Sequence, residues 1–401
     1  MTPFRSSVLL LAAGAAAALL TGCAAATPGT VASTPTSAAE GDGHGAISGA
    51  SEVPEPPLQL VAVDDAGTVG ILDLLDGTTA QLDSIGTPHA VATDGRYVFA
   101  TTDAGVEIVD SGVWTWDHVD HFHYYRATPA VLGAVEGAGP AVVATGPLST
   151  AGSTGVFFSG SGEAVLLDNA ALADGAIVER FRLETGAASG VVAPIGDGAV
   201  VATADRVRVV TGDGAETGAE TACPDPSGSI TTRVGLVIGC ADGAVLATEA
   251  DGEVVFEDIP LPEGVERPTS FDGRKGRPTV AGLLPGTGYA LLDTRERTWQ
   301  VVETEADLVR VSAVDDADGH VVALDATGRV RVYVDGAEIA ATEPLVDAVD
   351  EGVSLTVDAQ RAYVNDPGAG VVLEIAYADG ARVARSLETP VAPDFVAEVG
   401  R

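Results

Sequence analysis

From Leu58 onward, short runs of Val, Ala and Ile alternate with turns rich in Asp and Gly, and the turns recur roughly every eight to twelve residues. Alternation of apolar and polar positions between such turns is typical of antiparallel strands joined by hairpins. No stretch of helical period is long enough to compete, apart from a short segment at residues 170–176. The pattern therefore predicts an all-β fold.

The predicted strands repeat in sets of four. Residues 91–106 (VATDGRYVFATTDAGV) align with residues 356–371 (TVDAQRAYVNDPGAGV), which makes Asp94 and Asp358 equivalent turn residues. These two aspartates are 264 positions apart, or six steps of 44, and a propeller blade has a period of about 40–45 residues. Residues 313–330 supply a third copy. The repeat predicts a β-propeller.

Counting repeats from both ends of the chain favours eight blades. Full four-strand units are predicted to begin near Thr87, Thr128, Ser189, Ser229, Arg267, Leu308 and Gly352. Residues 58–85 supply three further strands, and residues 394–400 supply one strand that resembles an innermost strand. Pairing the C-terminal strand with the N-terminal strands would complete an eighth blade, close the ring and cover two strand edges. A count of seven blades is the alternative, if one of the weaker units is a double hairpin.

The N-terminal residues carry targeting signals. Arg5 precedes an apolar run at residues 8–20, too short for a membrane span of about 20 residues. The following Leu-Thr-Gly-Cys resembles a bacterial lipobox, so residues 1–22 are predicted to be a lipoprotein signal peptide and Cys23 the lipidated residue. The alternative is an ordinary secretory signal with an incidental cysteine. The protein is expected at the cell membrane, lipid-anchored on the extracytoplasmic face.

Composition divides the remainder into two parts. Residues 23–57 contain mainly Ala, Thr, Ser, Gly, Pro and Glu, and they are predicted to be a disordered tether. Residues 58–401 are predicted to form a single propeller domain, and the chain is expected to be a monomer. With 21 Lys and Arg against 58 Asp and Glu, the net charge is -37. No basic face exists to neutralise phosphates, which excludes nucleic acid as a partner.

The three cysteines divide into one lipid carrier and one pair. Cys223 and Cys240 are expected to form a disulfide because the extracytoplasmic compartment is oxidising. A thiolate metal pair is the weaker alternative, because no histidine lies near them in the sequence.

Candidate chemistry is concentrated in residues 114–126 (WTWDHVDHFHYYR), which hold three of the six histidines. In an extended backbone His121 and His123 share a face. A turn near Val119 would let His118 and a neighbouring carboxylate join them. Imidazole and carboxylate ligands favour zinc. The candidate ligands in this segment are Asp117, His118, Asp120, His121 and His123.

His89 is a candidate ligand from outside this segment. It precedes the first strand of the same predicted blade. If residues 117–125 connect that blade's outermost strand to the next blade, His89 and the cluster lie on the same face of the disc. The alternative for the whole cluster is a surface run of histidines with solvated acids.

The segment Trp-x-x-Asp-His-x-Asp-His-x-His-Tyr-Tyr at residues 114–125, together with the propeller period over residues 58–401, resembles the AztD-type periplasmic zinc metallochaperones. The resemblance implies a secreted propeller that delivers zinc to the solute-binding protein of a zinc ABC transporter. It assigns ligand roles among His118, Asp120, His121 and His123. Members of that family tend to have a flexible metal-binding N-terminus, whereas the N-terminal segment here is nearly free of histidine, so the resemblance leaves Asp42 and His44 only as a much reduced auxiliary metal site. The chain differs from the family in its predicted lipid anchor.

Two other classes of function stay open. A propeller with an open zinc position could act as a lactonase-like hydrolase, and a propeller scaffold could carry structural histidines. The sequence has no His-Glu-x-x-His and no nucleophile beside a base, which favours a protein that is not an enzyme.

Overall fold

A computed structural model of the chain describes residues 45–117, 121–268 and 270–401. Five residues with predicted roles lie outside that range: Cys23, Asp42, His44, His118 and Asp120. The predicted signal peptide and most of the predicted tether also lie outside it. Within the described residues, no helix is long and apolar enough to cross a membrane.

Strands make up nearly all of the regular structure in the described residues. The first ten are β1 (Ser51–Val53), β2 (Gln59–Val63), β3 (Val69–Asp73), β4 (Thr79–Gln81), β5 (Ala90–Thr93), β6 (Tyr97–Thr102), β7 (Gly105–Asp110), β8 (Val113–Asp117), β9 (Phe122–Arg126) and β10 (Ala130–Glu136). Next come β11 (Ala141–Thr145), β12 (Ser153–Phe158), β13 (Glu163–Asp168), the helix α1 (Asn169–Ala173), β14 (Glu179–Glu184), β15 (Gly190–Ile195), β16 (Gly198–Thr203), β17 (Arg206–Val210) and β18 (Glu216–Ala222).

The C-terminal half continues the same pattern. Its strands are β19 (Ser229–Thr231), β20 (Leu236–Cys240), β21 (Gly243–Ala250), β22 (Glu253–Pro260), β23 (Phe271–Asp272), β24 (Thr279–Leu284), β25 (Gly288–Asp293), β26 (Thr298–Glu303), β27 (Leu308–Ala313), β28 (Val321–Asp325), β29 (Val330–Val334), β30 (Ala337–Ala341), β31 (Leu355–Val357), β32 (Ala362–Asp366), β33 (Val371–Ala376), β34 (Arg382–Glu388) and β35 (Phe395–Val399).

Within the part of the chain that the structure describes, the strands form eight four-stranded antiparallel sheets and one three-stranded sheet. The four-stranded orders are β35-β2-β3-β4, β10-β7-β6-β5, β11-β12-β13-β14, β15-β16-β17-β18, β19-β20-β21-β22, β23-β24-β25-β26, β27-β28-β29-β30 and β31-β32-β33-β34. The remaining sheet has the order β1-β9-β8. The all-β prediction is confirmed, and the set of four-stranded sheets fits a β-propeller.

The core lies between neighbouring sheets. Val98 of β6 packs with Val61 of the sheet before it, whereas the next residue, Phe99, packs with Val156 and Phe158 of the sheet after it. Successive side chains of a strand point to opposite faces, so each inner strand is buried on both faces. This double burial explains why the inner strands are rich in Val, Ala and Ile.

The repeated aspartates occupy equivalent turns, as the alignment predicted. The Asp94 carboxylate accepts hydrogen bonds from the backbone N–H groups of Arg96 and Tyr97 between β5 and β6. The Asp358 carboxylate accepts from the N–H groups of Gln360 and Arg361 between β31 and β32. Asp is favoured in such turns because its side chain satisfies backbone donors locally.

One predicted unit boundary is wrong. Residues 130–136 were expected to open the second unit near Thr128, but they form β10, which pairs with β7 as the fourth strand of the preceding sheet. The second sheet begins instead at β11. The error arises because the β8–β9 hairpin lies between β7 and β10 and has the length and alternation of blade strands.

The two ends of the domain meet in one sheet, as predicted. β35 pairs with β2, with Glu398 opposite Leu60. Glu398 is completely buried, its Oε2 lies 3.5 Å from Arg401 Nη1, and neither carboxylate oxygen accepts a hydrogen bond from the residues that the structure describes. Burial raises the pKa of Glu398 to about 8, so this carboxyl is largely protonated at neutral pH.

Two further predictions have structural outcomes. Cys223 and Cys240 form a disulfide, which confirms the predicted pair and links the end of one sheet to the next. The tether prediction is wrong at its C-terminal end, because residues 51–53 form β1 and pair with β9. A three-residue strand gains its order from this partner, so its composition alone gives no sign of it.

Candidate metal centre

The histidine segment lies on a hairpin that projects from the end of one sheet. β7 and β10 are paired neighbours, with Ala130 opposite Asp110, and β8 and β9 occupy the connection between them. The register places Trp116 opposite His123 and Asp117 opposite Phe122. The sequence analysis predicted that this segment follows the outermost strand of the blade. In the structure it follows the third strand, β7.

Buried aromatic and charged side chains anchor the base of the hairpin. Trp114 is buried, and its ring stacks on Tyr125 across the pair at a centroid distance of 5.2 Å. The Arg96 guanidinium lies 4.2 Å from the Trp114 ring centroid and donates two hydrogen bonds to Asp110. Cation–π contact and a bidentate ion pair in a buried setting hold the hairpin to the sheet.

The N-terminal segment packs along the same hairpin. The Trp114 indole N–H donates to the Gly45 carbonyl over 3.0 Å. Gly45 has a φ of +79°, and a Cβ there would lie 2.4 Å from the Trp116 ring, so only glycine fits. In β1, Glu52 lies opposite Tyr125.

Two of the predicted ligands converge. The Nε2 atoms of His121 and His123 are 3.0 Å apart, as expected for alternate residues on one face. The Nδ1 atom of His123 lies 2.8 Å from Glu52 Oε1. Two nitrogens that bind one tetrahedral zinc at about 2.0–2.1 Å lie about 3.3 Å apart. The pair therefore fits two adjacent corners of a zinc shell.

A carboxylate beside the far nitrogen also fits a metal-binding histidine. Imidazoles that ligate a metal usually donate the other ring N–H to a carboxylate or carbonyl, which fixes their orientation. Glu52 stands in that position for His123. Among the described residues, no group of three or more His, Cys, Asp or Glu side chains is arranged to hold a metal, and the predicted ligands His118 and Asp120 lie outside them.

Asp117 faces away from His123. Its register partner is Phe122, on the opposite face of the hairpin from Trp116 and His123. Its carboxylate Oδ2 accepts a hydrogen bond of 2.6 Å from Arg233 Nη2, in the loop between β19 and β20. The structure thus brings this predicted ligand to Arg233.

The same side of the hairpin faces loops that follow the first strands of several sheets. Lys275, the single lysine of the chain, donates from Nζ to the Asp94 carbonyl over 2.5 Å. Burial lowers the pKa of Lys275, and the negative charges of Asp94 and Asp117 oppose that shift. The Thr115 hydroxyl donates to the Gly400 carbonyl. These contacts seat the hairpin on loops from distant parts of the chain.

His89 lies at the other end of its sheet, so its predicted place beside the cluster is wrong. Its backbone N–H bonds to Thr101 O, and its Nε2 contacts Asp103 at 2.9 Å. Asp103 is in the turn between β6 and β7, whereas the hairpin leaves from Asp110, where β7 ends. An antiparallel third strand ends where the first strand ends, which separates the hairpin from the start of β5.

Sequence reasoning did not identify Glu52 or Arg233. Glu52 is 71 positions from His123 and Arg233 is 116 positions from Asp117. Glu52 falls in a segment whose composition predicted disorder, and Arg233 is an ordinary loop arginine. Neither residue carries a local signal that would connect it to the histidines.

The fold and this site define a class: an all-β protein of propeller type that presents converging imidazoles on a hairpin projecting from one sheet. No protein-family model matches the chain, and no curated protein matches it. Among solved structures, the chain is similar to AztD from Citrobacter koseri, with a TM-score of 0.73, 20% identity, and coverage of 85% of this chain and 97% of AztD. Apo AztD from the same organism gives a TM-score of 0.72 at 19% identity, with the same coverage of both chains.

The chain is less similar in structure to the dihydro-heme d1 dehydrogenase NirN. That comparison has a TM-score of 0.53 and 14% identity, and it covers 86% of this chain and 76% of NirN. Identities this low show a shared fold, and shared folds carry many unrelated functions.

Proposed function

We propose that this protein is an extracytoplasmic, lipid-anchored zinc metallochaperone that hands zinc to the solute-binding protein of a zinc ABC importer. The observation that carries the proposal is the convergence of His121 and His123, with Nε2 atoms 3.0 Å apart. The fold likeness to AztD supports the same class.

In this proposal zinc is cargo and the hairpin is its carrier. His121 and His123 supply two ligands. His118 and Asp120 are proposed as further ligands because the motif at residues 114–125 resembles the metallochaperone family. A site on an exposed hairpin suits transfer, since an acceptor's ligands can replace donor imidazoles one at a time without unfolding the protein.

The ring that holds the hairpin is proposed to have eight blades. Eight four-stranded sheets and the pairing of β35 with β2 support this arrangement. The contact of Lys275 with Asp94 also supports it, because the sheets of β5 and β23 are separated by three sheets in chain order and their loops are nevertheless in contact.

The membrane anchor is proposed from the sequence Leu-Thr-Gly-Cys that ends at Cys23. Anchoring would raise the effective concentration of the donor beside a membrane transporter. Acyl labelling of whole cells should mark the wild-type protein and not Cys23→Ala, and only the variant should be soluble after cell lysis. Equal labelling and retention of both proteins would contradict the anchor.

The transfer test mixes zinc-loaded protein with an apo solute-binding protein encoded beside a zinc importer, in the presence of a competing chelator. Direct ligand exchange predicts that the acceptor fills faster than zinc is lost to the chelator alone. Transfer no faster than the spontaneous release of zinc, with every such acceptor, would contradict the chaperone function. A parallel reaction with His44→Ala measures whether the proposed auxiliary site contributes.

A zinc-dependent hydrolase is the second candidate. The fold is also similar to a putative 6-phosphogluconolactonase from Bacteroides fragilis, at a TM-score of 0.50 and 10% identity over 86% of this chain and 98% of that protein. Turnover of a lactone or ester panel by the zinc-loaded wild type, absent in His121→Ala/His123→Ala, would favour this candidate over transport.

A further inference from the structure

Glu52 is an exposed side chain with a specific partner at the metal centre. Its side chain is 58% exposed, whereas that of His123 is only 18% exposed. β1 holds it in register opposite Tyr125, and the Tyr125 ring lies nearly parallel to the His123 ring at a centroid distance of 6.3 Å. Glu52 and Tyr125 are therefore both neighbours of the His123 ring.

The hydrogen-bond chemistry of this contact determines where His123 carries its proton. An ionised carboxylate only accepts hydrogen bonds, so the 2.8 Å contact with Glu52 Oε1 requires a proton on His123 Nδ1. In a neutral ring the other nitrogen, Nε2, then has a lone pair that can accept a hydrogen bond. That lone pair is directed at His121 Nε2, which must donate the shared proton. His123 is thus already in the tautomer that binds a metal through Nε2.

We propose that Glu52 is a positioning residue of the zinc centre, which holds His123 with Nδ1 protonated and Nε2 directed at the metal position beside His121. This inference rests on the proposed zinc function. It also gives β1 a role, since the pairing of β1 with β9 keeps the carboxylate within reach of the ring. The segment that composition assigned to the tether would then be part of the metal centre.

The first test reads the tautomer without metal. Apo protein labelled with ¹⁵N-histidine is examined by long-range ¹H–¹⁵N correlation at about pH 8, where a free imidazole is neutral. His123 is expected to carry its proton on Nδ1 in the wild type and in the control Glu55→Gln, which removes a neighbouring exposed charge. Glu52→Ala should shift the population toward the Nε2-protonated form. A wild-type ring protonated on Nε2, or a tautomer unchanged in Glu52→Ala, would overturn the proposal.

The second test measures zinc affinity by chelator competition. Loss of a residue that orients a ligand weakens metal binding about 10–100-fold, and we expect this range for Glu52→Ala. Glu52→Gln keeps an acceptor oxygen on the same stem and should recover part of the loss, while Glu55→Gln binds as wild type. All three variants should unfold at the wild-type temperature, because the contact is largely exposed. Wild-type affinity in Glu52→Ala would refute the role of Glu52.

The two tests separate this proposal from the proposed function. If the wild-type protein binds no zinc, the metallochaperone fails and the zinc role of Glu52 fails with it, and the tautomer of the apo protein then shows only whether Glu52 orients the His123 ring. If zinc binds and transfers normally while His123 is protonated on Nε2, the role of Glu52 fails alone.

Discussion

Two histidines in this protein each have a carboxylate beside Nδ1, in very different surroundings. His123 Nδ1 lies 2.8 Å from the Glu52 carboxylate, and His320 Nδ1 lies 2.7 Å from the Asp316 carboxylate. His320 is in the turn between β27 and β28, where its buried ring packs edge-on against Tyr377 at 5.5 Å. The Nε2 edge of His123 instead meets a second imidazole on a projecting hairpin.

The comparison shows that a carboxylate–imidazole pair does not define a metal site. Around His320 the pair satisfies buried polar atoms inside a turn, because the Asp316 carboxylate also accepts the His320 backbone N–H. At His123 the same pair leaves the second ring nitrogen directed at another ligand. Burial therefore predicts an effect on folding at His320 and an effect on zinc binding at His123.

The largest expected effect separates the two histidines by zinc affinity. A tetrahedral zinc site contributes about 10–16 kcal/mol over four ligands, so each ligand accounts for roughly a hundredfold in affinity. His121→Ala/His123→Ala should lose about four orders of magnitude in chelator competition and remain folded by circular dichroism. His320→Ala and His89→Ala should bind zinc as wild type. Tight binding by the double variant would place the metal elsewhere.

The next largest expected effect is on folding stability, and it concerns a buried carboxyl group rather than a histidine. Glu398 is buried and its pKa is raised to about 8 from 4.5. Between these values the folded state binds more protons than the unfolded state, so stability falls as pH rises, by up to about 1.4 kcal/mol per pH unit. From pH 6 to pH 8 the wild type should lose roughly 2 kcal/mol more unfolding free energy than Glu398→Gln. Equal pH profiles in urea titrations would contradict this.

A smaller effect on folding is expected at His320. The variant His320→Ala removes a buried ring and leaves Asp316 Oδ2 without its imidazole partner, which should lower the unfolding free energy by about 2 kcal/mol. Urea unfolding of His320→Ala beside His89→Ala measures the difference, since the exposed His89 should cost almost nothing. If zinc affinity falls with stability, the two histidines are not separate in function.

The smallest effect concerns Asp117 and Arg233. Both side chains are partly exposed, and pairs of this kind contribute less than about 1 kcal/mol. Because Asp117 contacts Arg233 on the face opposite His123, Asp117→Asn should weaken zinc binding much less than His123→Ala does, and Arg233→Ala should behave like Asp117→Asn. A hundredfold loss of zinc affinity in Asp117→Asn alone would make Asp117 a ligand.

In the fold, the turn aspartates could be predicted from the sequence, whereas the place of the β8–β9 hairpin could not. Asp94 and Asp358 were identified as equivalent by aligning the repeat, and the structure explains why the residue recurs: each satisfies backbone donors two and three residues further along, which is a local requirement. The boundary near Thr128 was misplaced because β10 pairs with β7 across the hairpin. Alternation of apolar and polar residues predicts that a strand exists, but it does not predict which other strand will pair with it.

At the candidate site, too, local features could be predicted from the sequence and contacts between distant residues could not. His121 and His123 could be paired from the sequence because alternate residues of one strand share a face. Glu52 could not, since a single glutamate in a segment rich in Ser, Gly and Pro has no distinguishing pattern. His89 was placed wrongly because the sequence analysis attached the hairpin to the outermost strand, whereas it follows the third strand, which ends at the opposite end of the sheet from His89.

By itself, therefore, the sequence determined the strand content, the four-strand repeat, the disulfide between Cys223 and Cys240 and the shared face of two histidines, because each depends on local periodicity or residue chemistry. The tertiary structure decided which carboxylate meets His123, which arginine holds Asp117 and which end of the sheet carries the hairpin. The two residues of the His123–Glu52 contact are 71 positions apart in the chain, and those of the Asp117–Arg233 contact are 116 positions apart. Such contacts form only when the sheets pack, so no local pattern encodes them.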